Sequence, residues 1–215
     1  PTDMGVNMAG NCIVDDEVCR EASKQEIIRR YYQALAGRVE ETSTDEEVFK
    51  LELLMKQAGI SPENRKVTVA AKERAEQTGG PAAAIELEDG QIITGKTSDL
   101  LGASAALLLN TLKELAGIQH KIHVISPVAI EPIQKLKTEY LGSKNPRLHT
   151  DEVLIALSRS AATSDIAKLA LEQLPKLKGC QVHSSVMLSS VDKKIFKKLG
   201  VQLTAEPVYE HKKLY

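Results

Sequence analysis

Residues 79–116 read GGPAAAIELEDGQIITGKTSDLLGASAALLLNTLKELA, and their reading decides the fold. Gly79-Gly80-Pro81 ends whatever precedes it. Two short apolar runs follow, Ala82 to Leu87 and Gln91 to Thr94, around Glu88-Asp89-Gly90. Asp-Gly between two such runs is a strong hairpin signal. From about Ser98 to Ala116 the pattern predicts a long helix. Its most apolar part, Leu100 to Leu112, contains Gly102, Ser104 and Asn110 and falls short of the roughly 18 apolar residues a membrane span needs. It reads as a buried helix.

The same stretch contains G-x-x-x-x-G-K-T, from Gly90 to Thr97. A phosphate loop places that pattern between a strand and a helix, so that free amides ring the phosphate. Here Gly90 falls in the hairpin turn, and the amides of Gln91 to Thr94 belong to a ladder. A weaker form of the idea survives: Lys96, Thr97 and Ser98 lie before a helix start, which is a natural anion site. A simple capped turn is the other reading.

Working outward, Ile122 to Ile125 reads as a buried-type strand flanked by His120 and His123, and Ser126-Pro127 opens a helix to about Leu141. Thr150 is expected to cap a helix containing Val153, Leu154, Ala156 and Leu157. Asp165 starts another, through Leu174. Val182 to Leu188 and Val201 to Thr204 read as strands around a short amphipathic helix, Asp192 to Leu199, whose Lys193, Lys194, Lys197 and Lys198 form its solvated face. Upstream, residues up to about 78 look all-helical. Asp15, Asp16 and Glu17 start a helix that Gly37 is expected to end, and Thr44 to Glu47 resembles a capping box before a helix closing at Gly59. A third helix follows Ser61-Pro62. The expectation is therefore an α/β domain over residues 79–215, a mixed sheet with helices on both faces, preceded by an all-helical subdomain with a polar N-terminal loop over residues 1–78.

The order hairpin, helix, strand, helix between Ala82 and Leu141 suggests a cytidine-deaminase-like topology. The chemistry of zinc deaminases requires a His or Cys two residues before a Glu, then P-C-x-x-C. The two positions hold Leu101-Gly102-Ala103-Ser104-Ala105 and Ser126-Pro127-Val128-Ala129-Ile130. Neither carries a zinc ligand or a general acid, so zinc deamination is excluded and no metal site is assigned. Asp15 and Asp16, near Asn7 and Asn11, are more simply helix-start charges than ligands of a divalent cation.

Composition narrows the function further. There are 28 Lys+Arg against 29 Asp+Glu, a formal net charge of −1, and only 3% aromatic residues with no Trp. That balance argues against a dedicated nucleic-acid binder. Three cysteines, Cys12, Cys19 and Cys180, form no disulfide framework and point to a reducing, cytoplasmic location. Cys19 reads as a small buried hydrophobe. The chain opens at Pro1 without a basic leader, which suggests a fragment or processed product.

The most functional-looking stretch is Ser143 to Glu152, SKNPRLHTDE. It combines Lys144, Arg147, His149 and a helix start, a set suited to phosphate or carboxylate. Turn geometry and capping explain the same residues equally well. The candidate ligand site is accordingly Lys96, Thr97, Lys144, Arg147 and His149, for a nucleotide or other phosphate-containing small molecule. His149, His183 and Cys12 are the candidates for catalysis. A cysteine hydrolase using Cys12 with His149 or His183 is one alternative. A non-catalytic oligomerisation or scaffold module is another, and a homo-oligomer is expected.

At DMGVNMAGNCIVDDEVCREASKQEIIRRYYQAL (residues 3–35), at residues 80–118, at YLGSKNPRLHTDEVLIALS (residues 140–158) and at LEQLPKLKGCQVHSSVMLSSVD (residues 171–192) the chain resembles an uncharacterised bacterial family, domain of unknown function 1846. The resemblance implies that these segments form the C-terminal part of a protein about twice as long. The missing N-terminal half, a partner for any shared site, would carry a Gly-rich phosphate-loop-like stretch. It implies no activity and no catalytic residue.

Overall fold

The structure, a computed structural model, describes residues 15–210. They fall into two compact units, one ending at Arg65 and the other beginning at Lys66.

The first unit is a helical hairpin. Helix α1 spans Asp16–Val39 and α2 spans Asp45–Ala58. Asp15 caps α1 by accepting from the amides of Glu17 and Val18. The Thr44–Glu47 capping box forms as read, and α2 ends at Gly59 with φ +63°. Gly37, in contrast, does not stop α1. The helix runs through it, and a Cβ there would sit 2.4 Å from Ser43 Oγ, so glycine is needed for the chain to turn back against α1. Ile28, Tyr32 and Met55 are buried together between the helices. Cys19 is partly exposed rather than buried, because α1 offers it no facing core.

The second unit is an α/β fold on a four-stranded mixed sheet. Its elements are α3 (Lys66–Thr78), β1 (Ala82–Glu86), β2 (Ile92–Lys96), α4 (Ala103–Leu115), α5 (Pro127–Lys135), α6 (Thr150–Ala161), α7 (Asp165–Leu171), β3 (Gln181–Ser184), α8 (Ser190–Leu199) and β4 (Gln202–Ala205). The strand order is β2-β1-β3-β4. β1 is antiparallel to β2 and β3, and β3 is parallel to β4. The hairpin turn closes with the Leu87 amide on the Gln91 carbonyl, and Gly90 takes φ +83°, as Asp-Gly predicts.

Ala82-Ala83-Ala84-Ile85 is buried throughout because β1 is an inner strand with a helix on each face. Ala84 meets Val67 and Ala71 of α3, while Ala83 and Ile85 join the main core with Leu107, Leu108 and Leu112 of α4. Small side chains on β1 let both helices come close. Gly95 shows how close: a Cβ on it would lie 2.2 Å from the Leu107 amide nitrogen. Both glycines of the G-x-x-x-x-G-K-T pattern thus have structural duties, one in a turn and one beneath a helix.

Three sequence expectations change. Ile122–Ile125 is not a strand; Val124 and Ile125 enter the core from irregular chain, since a short apolar run buries equally well without a ladder. Helix α4 begins at Ala103, not Ser98, because Ser98 Oγ accepts from the Leu100 and Leu101 amides and holds a turn. The cap of α6 is His149 rather than Thr150.

Candidate functional site

A cleft of about 60 Å³ opens where the first turn of α4 meets the loop before α6 and the turn before α8. Backbone pairing sets this meeting. The Leu148 amide donates to the Leu100 carbonyl (2.9 Å) and the Gly102 amide to the Leu148 carbonyl (3.1 Å). His149 is therefore held beside the start of α4. After α5, a π turn over Leu136–Tyr140 brings Lys137 inward. Its buried ammonium donates to the Arg147 carbonyl (2.6 Å) and to Glu152 (2.9 Å), which fixes the loop from beneath.

His149 lines the cleft with its side chain about a third exposed. Its Nδ1 is 3.1 Å from Asp192 Oδ2. Asp192, almost fully buried in the first turn of α8, is itself held tightly. It accepts from the Thr150 amide (3.0 Å), the Thr150 hydroxyl (2.8 Å) and the Ser189 hydroxyl (2.8 Å). Burial works to raise the Asp192 carboxyl, but the bonds from His149 and Thr150 outweigh it and hold the group below its ordinary value. In return, the hydrogen bond to Asp192 pushes His149 above its ordinary value against the effect of burial, with Glu152 assisting and Lys137 opposing. The pair leaves His149 Nε2 for the cleft, in the arrangement of an oriented acid–base group.

Opposite lies the first turn of α4. Its cap, Gly102, has no side chain, and the first amide with a backbone partner is Ala106 on the Gly102 carbonyl. The amides of Ala103, Ser104 and Ala105 are the orphan donors that every helix start carries. Ser104, 4% exposed, also lines the cleft, and its hydroxyl has no hydrogen-bond partner among the described residues. Arg147 completes the wall, with Nη1 2.7 Å from Glu210 Oε1.

The predicted residues divide. Thr97, Arg147 and His149 line this one cleft. Lys96, the last residue of β2, lines a different and larger cavity of about 400 Å³ with Arg74, Asn110 and His120, while Thr97 lies just past the strand end. Lys144 is exposed and lines neither cavity. His183 is fully buried on β3, with Nδ1 2.8 Å from Thr204 Oγ1 and Nε2 3.3 Å from Glu206. Cys12, Asn7 and Asn11 lie outside the described residues. Cys180 is buried, which raises its thiol above the ordinary value. Among the described residues, no three His, Cys, Asp or Glu side chains are grouped to hold a metal ion, and no helix is long and apolar enough to cross a membrane.

Sequence reading passed over Asp192, Ser104 and Glu210. The Ser189-x-x-Asp192 spacing was available as a capping pattern, and Ser189 does accept from the Asp192 amide. Nothing local tied it to His149, 43 residues away. The Ser126-Pro127 start of α5, the position first compared with P-C-x-x-C, does not line the cleft; the start of α8 does.

Two family models match the chain. Domain of unknown function DUF1846, C-terminal, matches residues 63–215, and Domain of unknown function DUF1846, N-terminal, matches residues 1–59. The expectation that the chain represents the C-terminal part alone is thereby corrected. A UPF0371 protein of Corynebacterium urealyticum is 59% identical over 215 residues, all of this chain and 43% of that protein. A UPF0371 protein of Streptococcus uberis is 54% identical over all of this chain and 44% of its own length. The chain thus spans less than half the length of the curated relatives it matches. With both of its domain models matched, the chain belongs to the DUF1846 family.

Proposed function

We propose that the second unit binds a small anionic group, the phosphate of a nucleotide or of another phosphorylated small molecule, in the cleft between α4, the α6 loop and α8. The observation that carries this reading is the convergence of Thr97, Arg147 and His149 on the uncapped first turn of α4. Orphan amides and the helix dipole favour negative charge there. Arg147 exchanges Glu210 for the ligand and neutralises it, Thr97 and the amides donate to it, and His149, oriented by Asp192, donates or exchanges a proton. At about 60 Å³ the cleft takes a group of a few atoms, so the rest of a nucleotide extends outward. Residues of the longer protein beyond these 215 then complete its site.

The scaffold, on this reading, is deaminase-like. In support, β1 runs against the other three strands, α3 precedes the hairpin, α4 follows it, and α8 joins β3 to β4. With the start of α8, after β3, taken as the second of the two helix starts in place of Ser126-Pro127, the positions where zinc deaminases need thiolates and a Glu hold Ser104, Ser189 and Asp192. Such a donor set suits anion binding and proton transfer rather than zinc-dependent deamination.

A thermal-shift series tests the reading, using this chain and the full-length protein with inorganic phosphate, nucleoside mono- and triphosphates and Mg²⁺. A ligand at roughly 100 times its Kd adds about 2.7 kcal/mol. For a chain of this size that is a rise of about 5–10 °C. Loss of the rise in Arg147→Ala supports the assignment. Absence of any rise in either protein rejects it and favours the scaffold module, which a concentration-independent oligomer would support.

A further inference from the structure

We propose that Ser104, His149 and Asp192 act together as nucleophile, base and positioning group, and that the cleft hydrolyses carboxylic esters whose acyl part carries a negative charge. Only the charge preference rests on the anion-binding reading above. The nucleophile stands on its own observations.

Ser104 is a polar side chain 96% removed from solvent, in the first turn of a 13-residue helix, and it lines the cleft without a hydrogen-bond partner among the described residues. Ser104 and His149 line the one cleft, which makes the imidazole the base within reach of that hydroxyl on this proposal. His149 has its other nitrogen on Asp192, whose carboxylate is fixed by Thr150 and Ser189. Asp192 thus selects the tautomer with the proton on Nδ1 and leaves Nε2 to receive one. The amides of Ala103, Ser104 and Ala105 lie on the same wall and are donors for an oxyanion. Arg147, ion-paired with Glu210 on the cleft wall, is the cation that a ligand carboxylate would engage in place of Glu210.

The step balances without a cofactor. Ser104 Oγ attacks the acyl carbon as its proton passes to His149 Nε2. The carbon–oxygen bond to the alcohol breaks, and His149 returns the proton to the leaving oxygen. Water, deprotonated by His149, then attacks the acyl-serine and releases the acid, restoring Ser104. Ester and water give acid and alcohol.

The test treats the full-length protein with a fluorophosphonate probe, locates the adduct by peptide mass mapping, and compares hydrolysis of p-nitrophenyl hemisuccinate with that of p-nitrophenyl acetate. The expected result is a single adduct on Ser104, absent in Ser104→Ala and formed at least 100-fold more slowly in His149→Gln. The labelling rate rises with pH as His149 loses its proton. The groups facing His149 are Asp192 of α8, Lys137 of the π turn and Glu152 of α6, with Arg147 and Glu210 lining the same cleft. In Asp192→Asn the midpoint of that rise moves to lower pH, which a merely structural role would not produce. No adduct, an adduct elsewhere, or unchanged hydrolysis by folded Ser104→Ala overturns the proposal, and mapping the wild-type adduct requires no variant to fold. A phosphate-induced thermal shift without labelling keeps the anion site and removes the nucleophile. Labelling with equal rates on the two esters keeps the nucleophile and removes the charge preference.

Discussion

Two histidine–carboxylate contacts stand in the second unit, and what surrounds them differs. His183 is sealed. It sits on an inner strand at 0% exposure, with one nitrogen on Thr204 and the other 3.3 Å from Glu206, which Lys72 also holds at 2.8 Å. His149 is open. One nitrogen is on Asp192 and the ring lines a cleft. In both, burial alone would raise the carboxyl, and hydrogen bonds outweigh it, bringing Glu206 from 4.5 down to about 2. The electrostatics are alike, so pairing with a carboxylate does not distinguish a site from a structural tie. A ring that lines a cleft does.

The largest expected effect falls on the carboxylate with the most partners. Asp192→Ala leaves the Thr150 amide and hydroxyl and His149 without their acceptor and should cost about 3–5 kcal/mol in urea unfolding. Glu206→Gln keeps an acceptor for Lys72 and should cost about 1–3 kcal/mol. Equal losses would erase the contrast between the two pairs.

Acid and base should separate the pairs next. The folded value of Glu206 lies below its unfolded value, so its contribution is complete above about pH 4.5 and is lost as pH falls towards 2. That limb is worth up to about 3 kcal/mol, and Glu206→Gln should flatten it. Asp192, also lowered, loses its contribution in the same direction. His149 is raised, so its contribution is complete below about pH 6.5 and disappears as pH rises through its folded value. His149→Gln should remove that upper limb and weaken the Asp192 share of the acid limb, leaving the Glu206 share in place, as read from urea midpoints across pH.

A smaller effect is expected from His149→Gln at neutral pH, about 1 kcal/mol or less, because the ring is partly exposed and only one of its nitrogens is bound. The phosphate-induced thermal shift should nevertheless fall. A loss above about 3 kcal/mol would make His149 a structural tie like its sealed counterpart. The smallest effect belongs to Lys144→Ala, within about 0.5 kcal/mol and with the phosphate shift unchanged, since the side chain is exposed and outside the cleft. A lost shift would return Lys144 to the site.

Much of the local structure was legible because its causes are local. The Thr44–Glu47 box, the αL glycines at positions 59 and 90 and the β1–β2 hairpin depend on residues within a few positions of one another. Reading failed where the partner was distant. Ile122–Ile125 carried strand-like residues, but the strand that joins β1 in the sheet is Gln181–Ser184, beyond three intervening helices. Gly37 looked like a helix stop because its reason, Ser43 folding back on it, lies outside the helix.

The cleft follows the same division. Sequence alone determined that Thr97, Arg147 and His149 are polar groups near helix starts, because capping and charge are written into neighbouring residues. Only the tertiary structure decided which helix starts meet. Lys96, at the end of β2, and Thr97, just past it, line different cavities. The Leu100–Leu148–Gly102 hydrogen bonds brought His149 to α4. Placing α8 between β3 and β4 set Asp192 behind the imidazole, a contact across 43 residues that no local pattern encodes, because it depends on which strands pair.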